Sequence, residues 1–278
     1  MENVTPKRVF PKVWDLLVIL ILFLFNYLVV QTVLVLFLGL PEMPAGADSD
    51  PELFMQYQDE LGVFSAVVYP VVMLSSLLVL WLYARLRGGR EAVAIPHSIA
   101  GFNPTIILVG VLWLMSSQII LEPIIAYFPE IESPGVGRGI WAWVTVAVFA
   151  PILEELLCRG LIFGIIRNRW GVVLASVVSA LFFGLIHGDP SAILVAFIAG
   201  LIFSVIYVRT SSIFSTMIIH SINNMLAFSI MCFGFENMSW SDIVGGGVAY
   251  YALYGGAVLI FIAATTEACF KFLRRQKS

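Results

Sequence analysis

Eight apolar stretches organise the sequence, each close to the length that a helix needs to cross a bilayer. A transmembrane helix takes about 20 predominantly apolar residues. The stretches fall at 14–40, 62–84, 104–127, 140–166, 171–187, 190–208, 213–233 and 243–270. With 60% hydrophobic and only 12% charged residues, a chain of this size has too little polar surface to fold in water. The predicted fold class is therefore all-α, a polytopic membrane bundle of about eight transmembrane helices.

Two of the stretches begin with a clear helix signal. Asn103-Pro104 and Asp189-Pro190 each place a capping side chain before a proline at the first helical position. The only sizeable polar loop is expected at residues 41–60.

The basic residues lie on one side of this arrangement. If the spans alternate in direction, 13 of the 15 Lys and Arg residues fall on a single side. They are Lys7, Arg8, Lys12, Arg85, Arg87, Arg90, Arg167, Arg169, Arg209, Lys271, Arg274, Arg275 and Lys277. The opposite loops are acidic, with Arg138 as their base. Cytoplasmic loops carry the excess of Lys and Arg, so both termini are predicted to be cytoplasmic, in what we expect to be a bacterial cell membrane.

Three charged residues lie inside the fourth stretch: Glu154, Glu155 and Arg159. A charge near the bilayer centre costs about 2.5–3.5 kcal/mol on insertion scales, so such residues indicate function. Pro151 precedes them, and a proline there removes one backbone hydrogen bond and can bend the helix.

The spacing of these charges separates them into two groups. Glu155 and Arg159 are four residues apart, so they share a helix face and can pair. Glu154 is rotated by about 100° and has no local countercharge, which predicts a general acid or base. The alternative is that all three form an ion-pair cluster that holds helices together.

Two histidines and an asparagine lie in nearby spans. His187 ends the fifth stretch, while His220 and Asn224 share one face of the seventh. Structural explanations also exist, because a histidine at a span end is often interfacial and buried polar residues in membranes bond between helices. The third histidine, His97, lies in a predicted cytoplasmic loop and is assigned no role.

Together these side chains fit the hydrolysis of an amide. A carboxylate and an imidazole can activate water, and a second imidazole with a carboxamide can donate hydrogen bonds to an oxyanion. Metal-assisted hydrolysis is a second option, because Glu and His also bind zinc. It is not favoured, since the sequence has no His-Glu-x-x-His motif.

The axial positions of these residues leave one difficulty. At about 1.5 Å per residue, Glu154 lies about 20 Å from Arg167, whereas His220 lies only about 14 Å from Ser211. The difference must be absorbed by helix tilt or by a seventh helix that starts below the membrane interface.

Three motifs in order resemble the type II CAAX prenyl endopeptidases and their bacterial relatives, the CAAX protease and bacteriocin-processing (CPBP, or Abi) family. They are Glu-Glu-x-x-x-Arg at Glu154, Glu155 and Arg159, Phe-x-x-x-His at Phe183 and His187, and His-x-x-x-Asn at His220 and Asn224. Each motif alone is weak, but all three in this order are specific. The resemblance covers about residues 140–230.

The resemblance implies a glutamate-type intramembrane protease. In such an enzyme Glu154 and His187 would activate water, while His220 and Asn224 would form the oxyanion hole. No obligatory metal cofactor is implied, although the family was long grouped with metalloproteases and a divalent metal is the alternative. The residues expected to support the site are Glu155, Arg159 and Phe183.

We accordingly divide the chain into three regions. Residues 1–135 form a variable N-terminal region with three transmembrane helices, 136–235 a CPBP-like catalytic core, and 236–278 the last transmembrane helix with a basic cytoplasmic tail.

The expected partners are the lipid bilayer and a membrane-associated peptide or protein substrate. A leader peptide or membrane-anchored regulator is a better candidate than a prenylated protein if the chain is bacterial. The net charge of −3 argues against nucleic acid, and the oligomeric state is not predicted. One alternative function is a non-catalytic membrane partner, such as a bacteriocin self-immunity protein or a sensor-kinase modulator. Another is a transporter, in which intramembrane Glu and His relay protons.

Overall fold

The fold is described from a computed structural model, which covers residues 10–47, 49–93, 102–129, 135–235 and 238–275. Within these ranges the regular elements are helices, and the all-α prediction is confirmed. Residues considered above that lie outside the described ranges are Lys7, Arg8, His97 and Lys277.

The first three helices are α1 (Val13–Leu38), α2 (Pro51–Gly88) and α3 (Pro104–Ile125). α2 begins at Pro51, so the second half of the expected polar loop is helical. The reason is local, because the Asp50 side chain accepts hydrogen bonds from the N–H groups of Glu52 and Leu53 and fixes a helix start in polar sequence.

The fourth helix, α4 (139–170), is continuous but contains two segments with π-helical hydrogen bonding. Two π-helical segments, Thr145–Phe149 and Leu156–Ile162, flank an α-helical turn. Gly171, with φ 84°, then ends α4 and separates it from α5 (172–185), since a positive φ favours glycine.

The remaining long helices are α6 (Pro190–Thr210), α7 (Ile213–Cys232) and α8 (Gly247–Arg275), with a short helix, Trp240–Val244, before α8. The predicted caps are confirmed, because Asn103 accepts from the N–H of Thr105 and Asp189 accepts from that of Ser191.

The cap at Asp189 also carries an electrostatic signature. The Ser191 hydroxyl, together with the backbone N–H groups of Ala192 and Ser191, holds the pKa of Asp189 below its usual value. These donors stabilise the ionised carboxylate at the start of α6, where the helix dipole also favours a negative charge.

The helices present apolar side chains outward, as a protein surrounded by lipid must. Six of them, namely α1, α2, α3, α6, α7 and α8, are long and apolar enough to cross a membrane. Of the other two, α4 carries charges within its apolar length, and α5 measures only about 21 Å. Exposed side chains on α1 and α8 include Leu17, Phe25, Leu259 and Ile262. The chain is an integral, multi-pass membrane protein.

The core lies around the second half of α4. Leu157, Leu161 and Ile166 are almost completely buried there, and α2, α5 and α7 all contact this stretch or the one preceding it. Glu154, Glu155 and Arg159 are therefore buried among the surrounding helices.

Candidate active site

Pro151 shapes the connection between α4 and α7. A proline has no N–H, so the carbonyls that would accept from residue 151, four or five positions earlier, are left without that bond. Those carbonyls belong to Ala147 and Val146. Ser221 Oγ donates to Ala147 O, and Asn224 Nδ2 donates to Val146 O at 3.1 Å. The proline therefore creates acceptors on α4 that side chains of α7 use.

The start of α7 concerns the axial difference noted above. Ser212, Ser215 and Thr216, in the first turn or just before it, are fully buried. The first turn of α7 is therefore packed inside the bundle. Two turns further along α7, His220 lies beside the α4 carboxylates.

Glu155 and Arg159 form the ion pair that their spacing predicts. Arg159 Nη1 donates to Glu155 Oε1 at 2.8 Å, and both side chains are fully buried. Arg159 Nη2 donates to the carbonyl of Gly200 on α6, also at 2.8 Å. Pairing and hydrogen bonding are what make a buried charge tolerable, so this pair ties α4 to α6.

Phe183 lies at the centre of an aromatic cage. Its ring centroid is 4.7 Å from Arg159 Cζ, and that of Phe203 is 5.1 Å from the same atom. Both contacts fall within the range of a cation–π interaction. The Phe183 ring also packs edge-on against His187 and His220, at 5.1 and 5.4 Å between centroids. Phe183 thus contacts one side chain from each of the three motifs, namely Arg159, His187 and His220.

Glu154 has different surroundings from Glu155. Its Oε1 accepts a 2.5 Å hydrogen bond from the hydroxyl of Tyr69 on α2. Its Oε2 lies 3.8 Å from His220 Nε2, too far for a direct hydrogen bond. The residue is 7% exposed. As predicted from helix geometry, Glu154 has no Lys or Arg partner among the described residues.

Tyr69 is the contact that sequence reasoning missed. It lies in an apolar span and is followed by Pro70. A tyrosine hydroxyl within the hydrocarbon region needs a partner, so its position gave a signal. The sequence did not indicate which of the buried acids would accept from it.

His220 lies between the two carboxylates. Its Nδ1 is 3.5 Å from Glu155 Oε1 and its Nε2 is 3.8 Å from Glu154 Oε2. The side chain is almost fully buried, and Phe203 packs against its ring at 5.1 Å between centroids. The imidazole is therefore held in place by aromatic contacts while its nitrogens face the acids.

His187 occupies a more open position, just after the end of α5. Its Nδ1 is 2.8 Å from the carbonyl of Phe183. A carbonyl only accepts, so Nδ1 carries the proton and Nε2 is the acceptor in the neutral ring. The side chain is exposed, and within the described residues no hydrogen bond or ion pair joins it to Glu154. The structure brings Glu154 to His220 more closely than to His187.

Asn224 belongs to a chain of amides that crosses from α7 to α3. Asn223 Nδ2 lies 3.4 Å from Asn224 Oδ1, and Gln118 Nε2 donates to Asn223 Oδ1 at 2.7 Å. The Asn224 amide has two N–H donors, and its bond to Val146 uses one of them. The second is available for another acceptor.

Buried polar atoms without a hydrogen-bond partner concentrate at this site. Within the described residues they include Glu154 Oε2, Glu155 Oε2, Arg159 Nε and His220 Nδ1. Buried polar groups in native proteins are nearly always hydrogen-bonded, so each exception calls for an explanation. A cluster of four around two carboxylates and an imidazole is typical of a functional site.

Metal ligation is a separate question for the same side chains. Among the residues that the structure describes, no three His, Cys, Asp or Glu side chains converge in a way that could hold a metal ion. The His220 imidazole lies between Glu154 and Glu155, with one ring nitrogen towards each carboxylate.

Comparison with known protein families matches residues 136–226 to the family described as type II CAAX prenyl endopeptidase Rce1-like. Neither the curated proteins nor the solved structures gave a match. The matched segment contains α4, α5, α6 and most of α7, and with them every motif residue described above. This segment is therefore similar to the Rce1-like type II CAAX prenyl endopeptidases, a family whose name describes an endopeptidase.

Proposed function

We propose that this protein is an intramembrane endopeptidase that hydrolyses a peptide bond with water activated by Glu154. The observation that carries the proposal is the unpartnered Glu154 Oε2, buried and 3.8 Å from His220 Nε2. Two atoms at this separation can both lie within about 2.8 Å of one water oxygen. A buried acceptor beside an imidazole is the arrangement that general-base catalysis uses.

In the proposed reaction, Glu154 Oε2 takes a proton from water as the water oxygen attacks the carbonyl carbon of the substrate. The carbonyl oxygen becomes an oxyanion, which accepts hydrogen bonds from His220 and from the second N–H of Asn224. The same proton then passes to the leaving nitrogen as the C–N bond breaks. The products are a carboxylic acid and an amine.

His187 is proposed to assist the attacking water through Nε2. The hydrogen bond from its Nδ1 to Phe183 leaves that nitrogen as an acceptor. Its distance from Glu154 does not exclude this role, because catalytic hydrogen bonds are often long before substrate binds.

We further propose a membrane-associated peptide or protein as substrate, no metal requirement, and both termini in the cytoplasm of a bacterial cell. The family match supports an endopeptidase, and the one-sided distribution of Lys and Arg supports the orientation. Reporter fusions at each terminus test the orientation. Chelator-treated and untreated protein should cleave at equal rates if no metal takes part.

The proposal is tested by comparing the membrane peptides of cells that express the wild type, Glu154→Gln or Glu267→Gln. Glu267 is a matched control because it is a glutamate in α8 that pairs with Arg209, away from the site. New peptide termini should be produced by the wild type and Glu267→Gln and be absent with Glu154→Gln. A biological effect that survives Glu154→Gln, His187→Ala and His220→Ala would instead support a non-catalytic membrane partner.

A further inference from the structure

Tyr69 lies outside the segment that matches the family, yet it contacts the central acid of that segment. It belongs to α2, whereas the match covers residues 136–226. Its hydroxyl donates to Glu154 Oε1 at 2.5 Å. Among the described residues, Tyr69 is the side chain that donates a hydrogen bond to Glu154, and the other carboxylate oxygen, Oε2, has no hydrogen-bond partner.

The packing of α2 against α4 fixes the position of Tyr69. Gly62 lies seven residues before it, on the same face of the helix. A Cβ added to Gly62 would be 2.6 Å from the carbonyl of Arg138, so only glycine allows this approach. The N–H of Arg138 also donates to the carbonyl of Gln58 at 2.9 Å. This face of α2 is thus anchored to the beginning of α4, two turns from the site.

The hydrogen bond distinguishes the two oxygens of the carboxylate. Oε1 is occupied by Tyr69, and Oε2 is the atom that faces His220 without a partner of its own. Without the hydroxyl, the carboxylate could rotate about its last bond, because that torsion has only a broad preference. A hydrogen bond to a charged acceptor is worth about 1.5–3 kcal/mol, enough to hold one orientation.

We propose that Tyr69 is a positioning residue of the active site, holding Glu154 through Oε1 so that Oε2 faces His220 and the attacking water. This inference rests on the proposed function, since it assigns a role in the same reaction. It makes the N-terminal region a working part of the site, because α2 orients the base carried by α4.

The chain offers a matched control on the same helix. Tyr83 donates a hydrogen bond of the same length, 2.5 Å, to the buried Asp15. Tyr69→Phe and Tyr83→Phe each remove one hydroxyl and keep the aromatic ring. They therefore remove the same kind of bond, one at the site and one at the end of α2.

The test uses purified protein in lipid vesicles and a synthetic peptide that spans a cleavage site identified from the Glu154-dependent membrane peptides. We expect Tyr69→Phe to lower kcat about 10- to 100-fold and to leave KM unchanged, because the hydroxyl contacts the base and not the substrate. Tyr83→Phe should leave kcat unchanged and lower the unfolding temperature.

Three results would overturn the inference in distinguishable ways. If the wild type cleaves and Tyr69→Phe has the same kcat, the positioning role is wrong while the proposed function stands. If both variants lose activity in proportion to a loss of thermal stability, Tyr69 has a structural role only. If wild type and Glu154→Gln yield identical membrane peptides, the proposed function fails and the role of Tyr69 fails with it.

Discussion

Two buried carboxylates each accept a hydrogen bond from a tyrosine of α2, but their surroundings differ. Asp15 on α1 accepts from Tyr83 and Arg87 through Oδ1, at 2.5 and 3.3 Å, and from the N–H of Lys12 through Oδ2 at 2.7 Å. Both of its oxygens are therefore satisfied. Glu154 accepts from Tyr69 through one oxygen, and its other oxygen has no partner.

Under the proposed function, this difference separates a structural acid from a reactive one. A fully satisfied polar network stabilises the fold and rigidifies it, whereas a partly satisfied one costs free energy. Such a cost is expected where the open atom serves a reaction. We refer to Asp15, Tyr83 and Arg87 as the Asp15 cluster, and to Glu154, Tyr69 and His220 as the Glu154 site.

The largest expected effect concerns the ion pair beside the Glu154 site. Arg159→Met leaves Glu155 buried without its countercharge, which should lower the free energy of unfolding by about 3–5 kcal/mol. Thermal unfolding in detergent measures this loss. Arg209→Met is a suitable control, because the Arg209–Glu267 pair is partly exposed and such pairs contribute about 0–1 kcal/mol.

A double substitution makes this prediction more specific. Glu155→Gln combined with Arg159→Met removes both buried charges and should recover part of the lost stability. Equal loss in the single and double variants would mean that Arg159 stabilises the fold mainly through Gly200 and the aromatic cage.

His220→Ala should separate catalysis from stability. His220 lies 3.5 and 3.8 Å from the two acids, so any bonds lost are long ones, but the proposed oxyanion loses a donor. We expect kcat to fall about 100- to 1000-fold, measured with the peptide described above. Unchanged kcat in a folded variant would remove His220 from the reaction and weaken the contrast with the Asp15 cluster.

Tyr83→Phe should have the opposite profile. The Asp15 cluster loses one hydrogen bond to a charged acceptor, so the free energy of unfolding should fall by about 1.5–3 kcal/mol, while cleavage is unaffected. Chemical unfolding and the peptide assay on the same preparation measure both quantities. If this variant loses kcat without losing stability, the Asp15 cluster is not purely structural.

The smallest effect is expected at the proline-created contacts between α4 and α7. Ser221→Ala removes one donor to Ala147 O and should cost about 1 kcal/mol of stability. Asn224→Ala removes a comparable bond to Val146 O and, in addition, the proposed oxyanion donor. A loss of kcat in Asn224→Ala that exceeds the loss in Ser221→Ala therefore isolates its catalytic part. Equal losses would show that Asn224 acts only as a connection between the helices.

Local rules gave much of this architecture from the sequence. Apolar length predicted the long helices, six of which within the described residues are long and apolar enough to cross a membrane, and the Asn103 and Asp189 caps were placed correctly. The four-residue spacing of Glu155 and Arg159 predicted their pair. The prediction of a polar loop through residue 60 was wrong, because α2 begins at Pro51. The Asp50 cap starts the helix in polar residues that an apolar pattern does not include.

Contacts between spans that are distant in the sequence could not be predicted from these local rules. Tyr69 and Glu154 are 85 residues apart, and a single sequence does not say which faces of α2 and α4 meet. The π-helical segment before Glu154 contains the Val146 and Ala147 carbonyls, which accept hydrogen bonds from Asn224 and Ser221 across the bundle. The catalytic roles of Glu154, His187, His220 and Asn224 stay predictions, because they concern a complex with substrate.

The most direct test compares Glu154→Gln with Asp15→Asn in reconstituted protein, measuring peptide cleavage and thermal unfolding together. We expect Glu154→Gln to lower kcat at least about 1000-fold at an unchanged unfolding temperature. Asp15→Asn should cleave at the wild-type rate and unfold at a lower temperature. Cleavage that persists in Glu154→Gln, or that is lost equally in both variants, would contradict the proposed role of Glu154.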